Sequence, residues 1–308
     1  MRLLAALLLG CCLVVSSASS ATAVTGPTYV VGTWTGDTIR LFIDGRQVAR
    51  RSASVTAGTP AQGEIGTFLG GDVWDGTIDD VALYRQALPA AVIERHFAAG
   101  TTGPPGRYAA LVLANPALVS FWPLQGATPA TANVEAEDAA KRNPGVYRKG
   151  RYGSAPSLVA GERNGALSLN GQNGGVLIPK VTGVDPRAGF ALEAWVRARA
   201  KRDATIFTTI GSAFLKTDAA GHFGFGGSAG AQLVSVFSRQ TVIPTVSRRA
   251  GASGADNGSG RRGASSGGSA GGLWVIPVVL LVVVALAFAA RELVPKPTED
   301  RAVGKDSA

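Results

Sequence analysis

Asp79 and Asp80 stand side by side in G-T-I-D-D-V-A-L-Y and form the nearest approach to an acidic pair in this chain. Two carboxylates about 5–10 Å apart across a cleft can divide acid and base work on a glycosidic bond. Neighbours on an extended strand point to opposite faces, so this spacing predicts no shared cleft. One of the two is expected to accept backbone N–H groups at a strand entry. His96 and His222 lie in different parts of the chain, without a Cys or acidic residue read at ligand spacing, which argues against zinc. No nucleophile elbow or phosphate loop occurs, and Gly224–Gly227 in G-H-F-G-F-G-G reads as a loose Gly-rich turn. Trp34, Trp74, Trp122 and Trp195 could stack on sugars. Trp122 and Trp195 sit in alternating apolar runs and read as core. Trp74 reads as a loop residue beside Asp72 and Asp75, and these three are the expected ligand-binding residues.

The elements that would position these groups are strands. Tyr29–Thr33 is β-prone, and Gly36-Asp37 supplies a turn. Ile39, Leu41 and Ile43 then face one way, with Arg40 and Phe42 facing the other. Asp44-Gly45 favours a two-residue hairpin turn, because both positions accept φ > 0. Arg46–Arg50 is the returning strand, Glu64–Leu69 a further short one, and Thr77–Tyr84 another. Ala87-Leu88-Pro89 opens a short helix, Ala90–Ala98, with Ile93 and Phe97 on one side. Abundant glycine (41 residues) and few helix-period patterns suit an all-β fold.

W-x-G-D-x-I-R-L-F-I-D-G, followed by G-T-I-D-D-V-A-L-Y-x-x-A-L and a small helix, resembles the C-terminal half of a laminin-G-like domain. Such domains belong to the concanavalin A-like lectin/glucanase superfamily. The similar segment spans residues 28–100. Residues 107–235 resemble the N-terminal half: Val119-Ser120-Phe121-Trp122-Pro123-Leu124 near its start, then an acidic-Gly-Asn loop at Asp138–Gly145. Gly165–Gly171, Phe190–Val196, Ile206–Ile210 and a hairpin over Phe214–Lys216 and Gly221–Gly226 come next. Lys141 replaces a small residue in the loop, and Asn170 stands where Asp is common.

The resemblance implies an antiparallel jelly-roll sandwich whose second half comes first in the chain. Three arrangements fit: a circularly permuted sandwich closed within one chain, two incomplete domains, or pairing between chains. Termini that lie close together make permutation tolerable. Two incomplete domains would leave apolar sheet edges exposed. The resemblance also implies a calcium site, with Asp138, Asn143, Asn170 and Asp79 as the candidate ligands. The acidic strand signature of glucanases, E-x-D-x-x-E, is missing, so the expected activity is binding without catalysis.

The ends carry their own signals. Met1-Arg2, the apolar run Leu3–Val15 and Ala21-Thr22-Ala23 make a secretory signal peptide over 1–23. Cys11 and Cys12 are the only cysteines and fall inside it, so the mature chain has no disulfide framework. Leu8-Leu9-Gly10-Cys11 also resembles a bacterial lipobox, which would make Cys11 a lipid-bearing terminus. Residues 248–272 form a Gly/Ser-rich stalk. Leu273–Ala290 is an uncharged run long enough to span a bilayer, with Trp274 at its edge, and 291–308 would be a cytoplasmic tail. The net charge of +9 is scattered, without a basic run interleaved with aromatics, which argues against a nucleic-acid partner. The expected protein is a bacterial-style, single-pass cell-surface module. It would bind an extracellular glycan or a surface protein, the glucanase-type enzyme being disfavoured.

Overall fold

The computed structural model describes residues 26–53, 61–125, 133–150, 152–209, 213–229 and 232–242. The expected signal peptide, stalk, membrane segment and tail lie outside these residues. No helix among the described residues is long and apolar enough to cross a membrane.

The first half-unit supplies β1 (Thr28–Trp34), β2 (Thr38–Ile43), β3 (Arg46–Ser52), β4 (Gly63–Ile65), β5 (Asp75–Tyr84) and helix α1 (Ala90–Thr102). Helix α2 (Arg107–Leu113) comes next, then β6 (Leu118–Trp122), β7 (Glu135–Ala136), β8 (Gly145–Tyr147) and β9 (Tyr152–Pro156). The remaining strands are β10 (Gly165–Asn170), β11 (Val176–Ile178), β12 (Phe190–Ala198), β13 (Ala204–Thr209), β14 (Ala213–Thr217), β15 (His222–Ala229) and β16 (Gln232–Thr241).

These strands build two antiparallel sheets. The first runs β3-β2-β1-β12-β5-β10-β9, with β6 also on β5; the second runs β16-β15-β14-β13-β4-β11-β8-β7. Strands of the two half-units alternate in both. β12 lies between β1 and β5, and β4 between β13 and β11. Within this chain, therefore, the halves pair with each other and cover the edges that each would expose alone.

Local sequence explains much of this geometry. Asp44 (φ 49°) and Gly45 (φ 79°) both take positive φ in the β2–β3 turn, as that turn requires. The Asp44 carboxylate also accepts the Tyr29 N–H at 3.0 Å, tying the turn to β1. Ile39, Leu41 and Ile43 enter the core between the sheets, whereas Phe42 joins a second apolar layer on the outer face of the first sheet. Gly32 leaves room on β1 for the Phe225 ring, which a Cβ would meet at 2.0 Å. Trp122 packs in the inter-sheet core, 5.5 Å from Phe207 between ring centres.

The second apolar layer is made by helices. α1 runs to Thr102, beyond the expected Ala98, and α2 covers Arg107–Leu113, where no helix was read from the sequence. Tyr108 and Val112 on α2 and Ile93 on α1 bury against Tyr29, Ala82, Tyr84 and Trp195. Gly100 on α1 lets the Trp195 indole approach so closely that a Cβ there would be 2.3 Å from its ring. β14 and β15 pair as the hairpin expected over Phe214–Lys216 and Gly221–Gly226, and Gly224–Gly227, expected as a loose turn, lie within β15, where Phe223 and Phe225 are fully buried. Phe223 and Phe225 alternate with glycines along that segment, and this is strand periodicity.

Candidate functional site

The helix-covered face of the first sheet holds the strongest buried electrostatics. Glu193 points out of β12 into this layer and is fully buried. His96 on α1 sets Nδ1 3.2 Å from both carboxylate oxygens, and the Tyr108 hydroxyl on α2 donates to Oε1 at 2.6 Å. Burial alone would raise the Glu193 pKa; the facing His96 and the donated hydrogen bonds reverse this and hold it below the usual range. Tyr29, Tyr84 and Tyr108 are raised well above the ordinary tyrosine value, by burial first and by the Glu193 charge second. This group ties both helices to β12. Its partners come from residues 96, 108 and 193, a separation that left no local sequence signal.

Asp79 and Asp80 lie on the same face, and here the expectation from the sequence fails. The order along β5 is Ile78 inward, Asp79 and Asp80 both outward, Val81 inward. The reason is a bulge. Ala82 pairs with Glu193 and Asp79 with Trp195, so Asp80 and Val81 together oppose Ala194. Asp80 takes φ 49°, the left-handed conformation that such a bulge requires. On the other edge of β5, β10 pairs Asp75–Ile78 and β6 pairs Val81–Tyr84. The two aspartates thus occupy the gap between two partner strands.

Their environments differ in detail. Asp79 Oδ2 accepts the Ser157 hydroxyl and the Leu158 N–H, each at 2.8 Å, the structural role expected of one member of the pair. Asp79 Oδ1 and both Asp80 oxygens are buried without a partner. Burial, outweighing those hydrogen bonds, pushes Asp79 up to about 7. Burial and then the Asp79, Glu162 and Glu193 charges push Asp80 well above the carboxylate range. Asp80 lies in the wall of a cavity of about 220 Å³ shared with Ala109, Leu113, Phe121, Glu137 and Asn164.

The expected ligand-binding residues are placed otherwise. Trp74 is 1% exposed and packs in the inter-sheet core, so the reading of a surface loop ring is corrected. Its backbone explains why: the N–H bonds Gly66 and the carbonyl accepts from Gly171, drawing the ring inward. Asp75 pairs with Arg199 at 3.0 Å, and Asp72 is half-buried with its carbonyl accepting the Thr205 N–H. Burial and the nearby Asp203 charge raise the Asp72 pKa, against Lys216 and Arg202.

The four expected calcium ligands are bound to three different parts of the chain. Asp138 accepts backbone N–H groups of Phe121, Ala140, Arg142 and Asn143, organising its own loop and fixing it to β6. The Asn143 side chain bridges Ser120 and Thr182. Asn170 caps its own turn through Gln172 and Asn173, and Asp79 bonds residues 157 and 158. Among the described residues no three His, Cys, Asp or Glu side chains are grouped to hold a metal ion. His222 does have an acidic neighbour: Asp218 lies 2.9 Å from Nδ1, closing the β14–β15 turn.

The outer face of the second sheet carries a feature that sequence reading missed. Phe214 and Lys216 on β14, Gly224 and Gly226 on β15, and Leu233, Ser235 and Phe237 on β16 share this face by register. The Phe237 ring lies over Gly224, where a Cβ would meet it at 2.3 Å, and remains 40% exposed. Leu233, four residues back along β16 on the same face, is 70% exposed. Further along this face Glu64 is buried under the Leu69 turn, accepting the Leu69 N–H and pairing with Arg148.

Comparison with known proteins agrees with the sandwich. Comparison with curated proteins and with solved structures gives no match. Residues 14–94 match a laminin-G-type family model described as the concanavalin A-like lectin/glucanases superfamily, whose reach is a lectin-like or binding module at most. The segment matched covers the first half-unit, and by it this chain resembles that superfamily.

Proposed function

We propose that this chain is a non-catalytic, lectin-like module that binds an extracellular glycan on the outer face of its second sheet. One observation carries the reading: the Phe237 ring, backed by Gly224, offers an exposed aromatic face beside Ser235 and the ion pair of Lys216 with Asp203. A sugar presents C–H groups on one face and hydroxyls at its rim, and such a surface suits both. Carboxylates on this face are poorly placed for glycoside cleavage. Glu64 and Glu135 are separated by β11 and β8, three strand spacings or about 14 Å, and Glu64 is already engaged. The expected signal peptide over 1–23 and the apolar run Leu273–Ala290, both read from the sequence, support display from a membrane, with the sandwich outside and a short tail inside. The order of the half-units supports a circularly permuted sandwich.

The exposed Leu233 on edge strand β16 favours a second reading, adhesion to a protein partner. Titration of the full-length chain, in non-ionic detergent, against an oligosaccharide panel separates the two. The Phe237→Ala variant is expected to lose at least tenfold in sugar affinity with its unfolding midpoint kept. Unchanged affinity would sink the platform, and a protein partner retained under excess soluble sugar would favour adhesion.

A further inference from the structure

The cavity beside the β5 bulge is a second place where the molecule holds unused binding capacity. It is lined partly by apolar groups, Ala109 and Leu113 from α2 and Phe121 from β6. Its polar side is made by Asp80, Gln125, Glu137 and Asn164. Among these, Asp80 Oδ1 and Oδ2 and Asn164 Oδ1 are buried oxygens without a hydrogen-bond partner. Asp80 itself has no exposed surface, and it lines the cavity with both oxygens free. A buried polar atom left unmatched destabilises the fold. Three such acceptors in one lining, two of them on Asp80 where a strand bulge and a gap between partner strands coincide, call for a guest that donates.

We propose that this cavity binds a primary alkylammonium group. Its N–H donors would go to the Asp80 carboxylate and its neighbours, and its aliphatic stem would lie against Ala109, Leu113 and Phe121. Lysine-type ammonium carries three donors and no acceptor, the complement of these oxygens. A hard divalent cation would instead ask for six to eight oxygens around one point. The apolar walls do not supply that shell, and the described residues contain no metal-holding group of three His, Cys, Asp or Glu side chains. A volume of 220 Å³ has room for a short amine stem. The opening beside Leu113, which is 48% exposed, gives a route in.

The test is calorimetric titration of the full-length chain in non-ionic detergent with n-butylammonium. Parallel titrations use n-butanol, tetramethylammonium and calcium chloride. Saturable binding of n-butylammonium is expected, weakened at least tenfold by Asp80→Asn. Ala109→Trp, which fills the cavity while keeping the carboxylate, should weaken it as much, and decides the matter if the first variant does not fold. Phe237→Ala should leave this binding unchanged, which separates the cavity from the glycan platform. Equal binding of n-butanol, Asp80-dependent binding of calcium that displaces the amine, or no saturation by n-butylammonium would each overturn the proposal. Nα-acetyl-lysine methylamide, run alongside, tells the source of the group: equal affinity points to a protein lysine, and much weaker binding to a free small amine.

Discussion

Two sets of buried carboxylates sit on one face of one sheet, a strand apart, and behave in opposite ways. Glu193 has a histidine facing it and a tyrosine donating to it, and its ionised form is held. Asp79 and Asp80 have three of their four oxygens unpartnered, and their neutral forms are favoured. Burial is nearly the same for all three. The difference is the supply of donors. The helices bring His96 and Tyr108 to Glu193, while the bulge turns Asp80 toward a cavity where neither of its oxygens is met by a donor. The first arrangement locks layers together. The second leaves capacity for a guest.

Breaking the satisfied set should have the largest effect. Glu193→Ala leaves His96 buried without its partner and is expected to destabilise by about 3–5 kcal/mol in urea unfolding. A loss below about 1 kcal/mol would mean that the pair holds nothing. Next, Gly100→Val would force α1 away from the Trp195 indole, with a cost of about 1–3 kcal/mol and a changed near-ultraviolet signal.

The pH dependence sharpens the contrast. Asp79 and Asp80 have folded-state values raised above the unfolded ones, so folding favours their protonated forms. Their stabilising contribution is complete below an unfolded value near 3.8 and is lost as pH rises toward about 7 for Asp79. Glu193 acts the other way, contributing above its unfolded value and losing that contribution as pH falls through its lowered folded value. Urea midpoints are therefore expected to rise from pH 8 to pH 5 and fall again in stronger acid. Each group sets a slope of at most about 1.4 kcal/mol per pH unit. A midpoint unchanged between pH 5 and pH 8 would contradict the raised values. The smallest effect belongs to Asp80→Asn, where replacing an unmatched buried carboxyl by a neutral amide should leave stability unchanged or raise it by about 1 kcal/mol. A loss beyond that would mean Asp80 has an unrecognised structural partner.

The same contrast separates the legible parts of the chain from the rest. The Asp44-Gly45 turn and the alternation of Ile39, Leu41 and Ile43 are local patterns, and the structure obeys them. The β14–β15 hairpin was legible, but Gly224–Gly227 also looked like a loose turn, because a strand that seats aromatic rings needs small residues. Trp74 was misread because flanking aspartates suggest a surface, while the backbone bonds to Gly66 and Gly171 that pull the ring inward are made across the fold. Phe237 gave no signal alone, since its exposure depends on Gly224 in the neighbouring strand.

The sequence by itself determined the all-β class and the Asp44-Gly45 hairpin turn, because turn chemistry and strand alternation act over a few residues, and its first half-unit carries the laminin-G-like resemblance. Only the tertiary structure decided that the halves close on each other, since strand pairing between β1 and β12 joins residues far apart in the chain. It also decided the side on which Asp80 lies. A single extra residue in a strand reverses the facing of the side chains beyond it, and the bulge on β5 is set by its pairing with β12, not by the residues Asp79-Asp80 themselves.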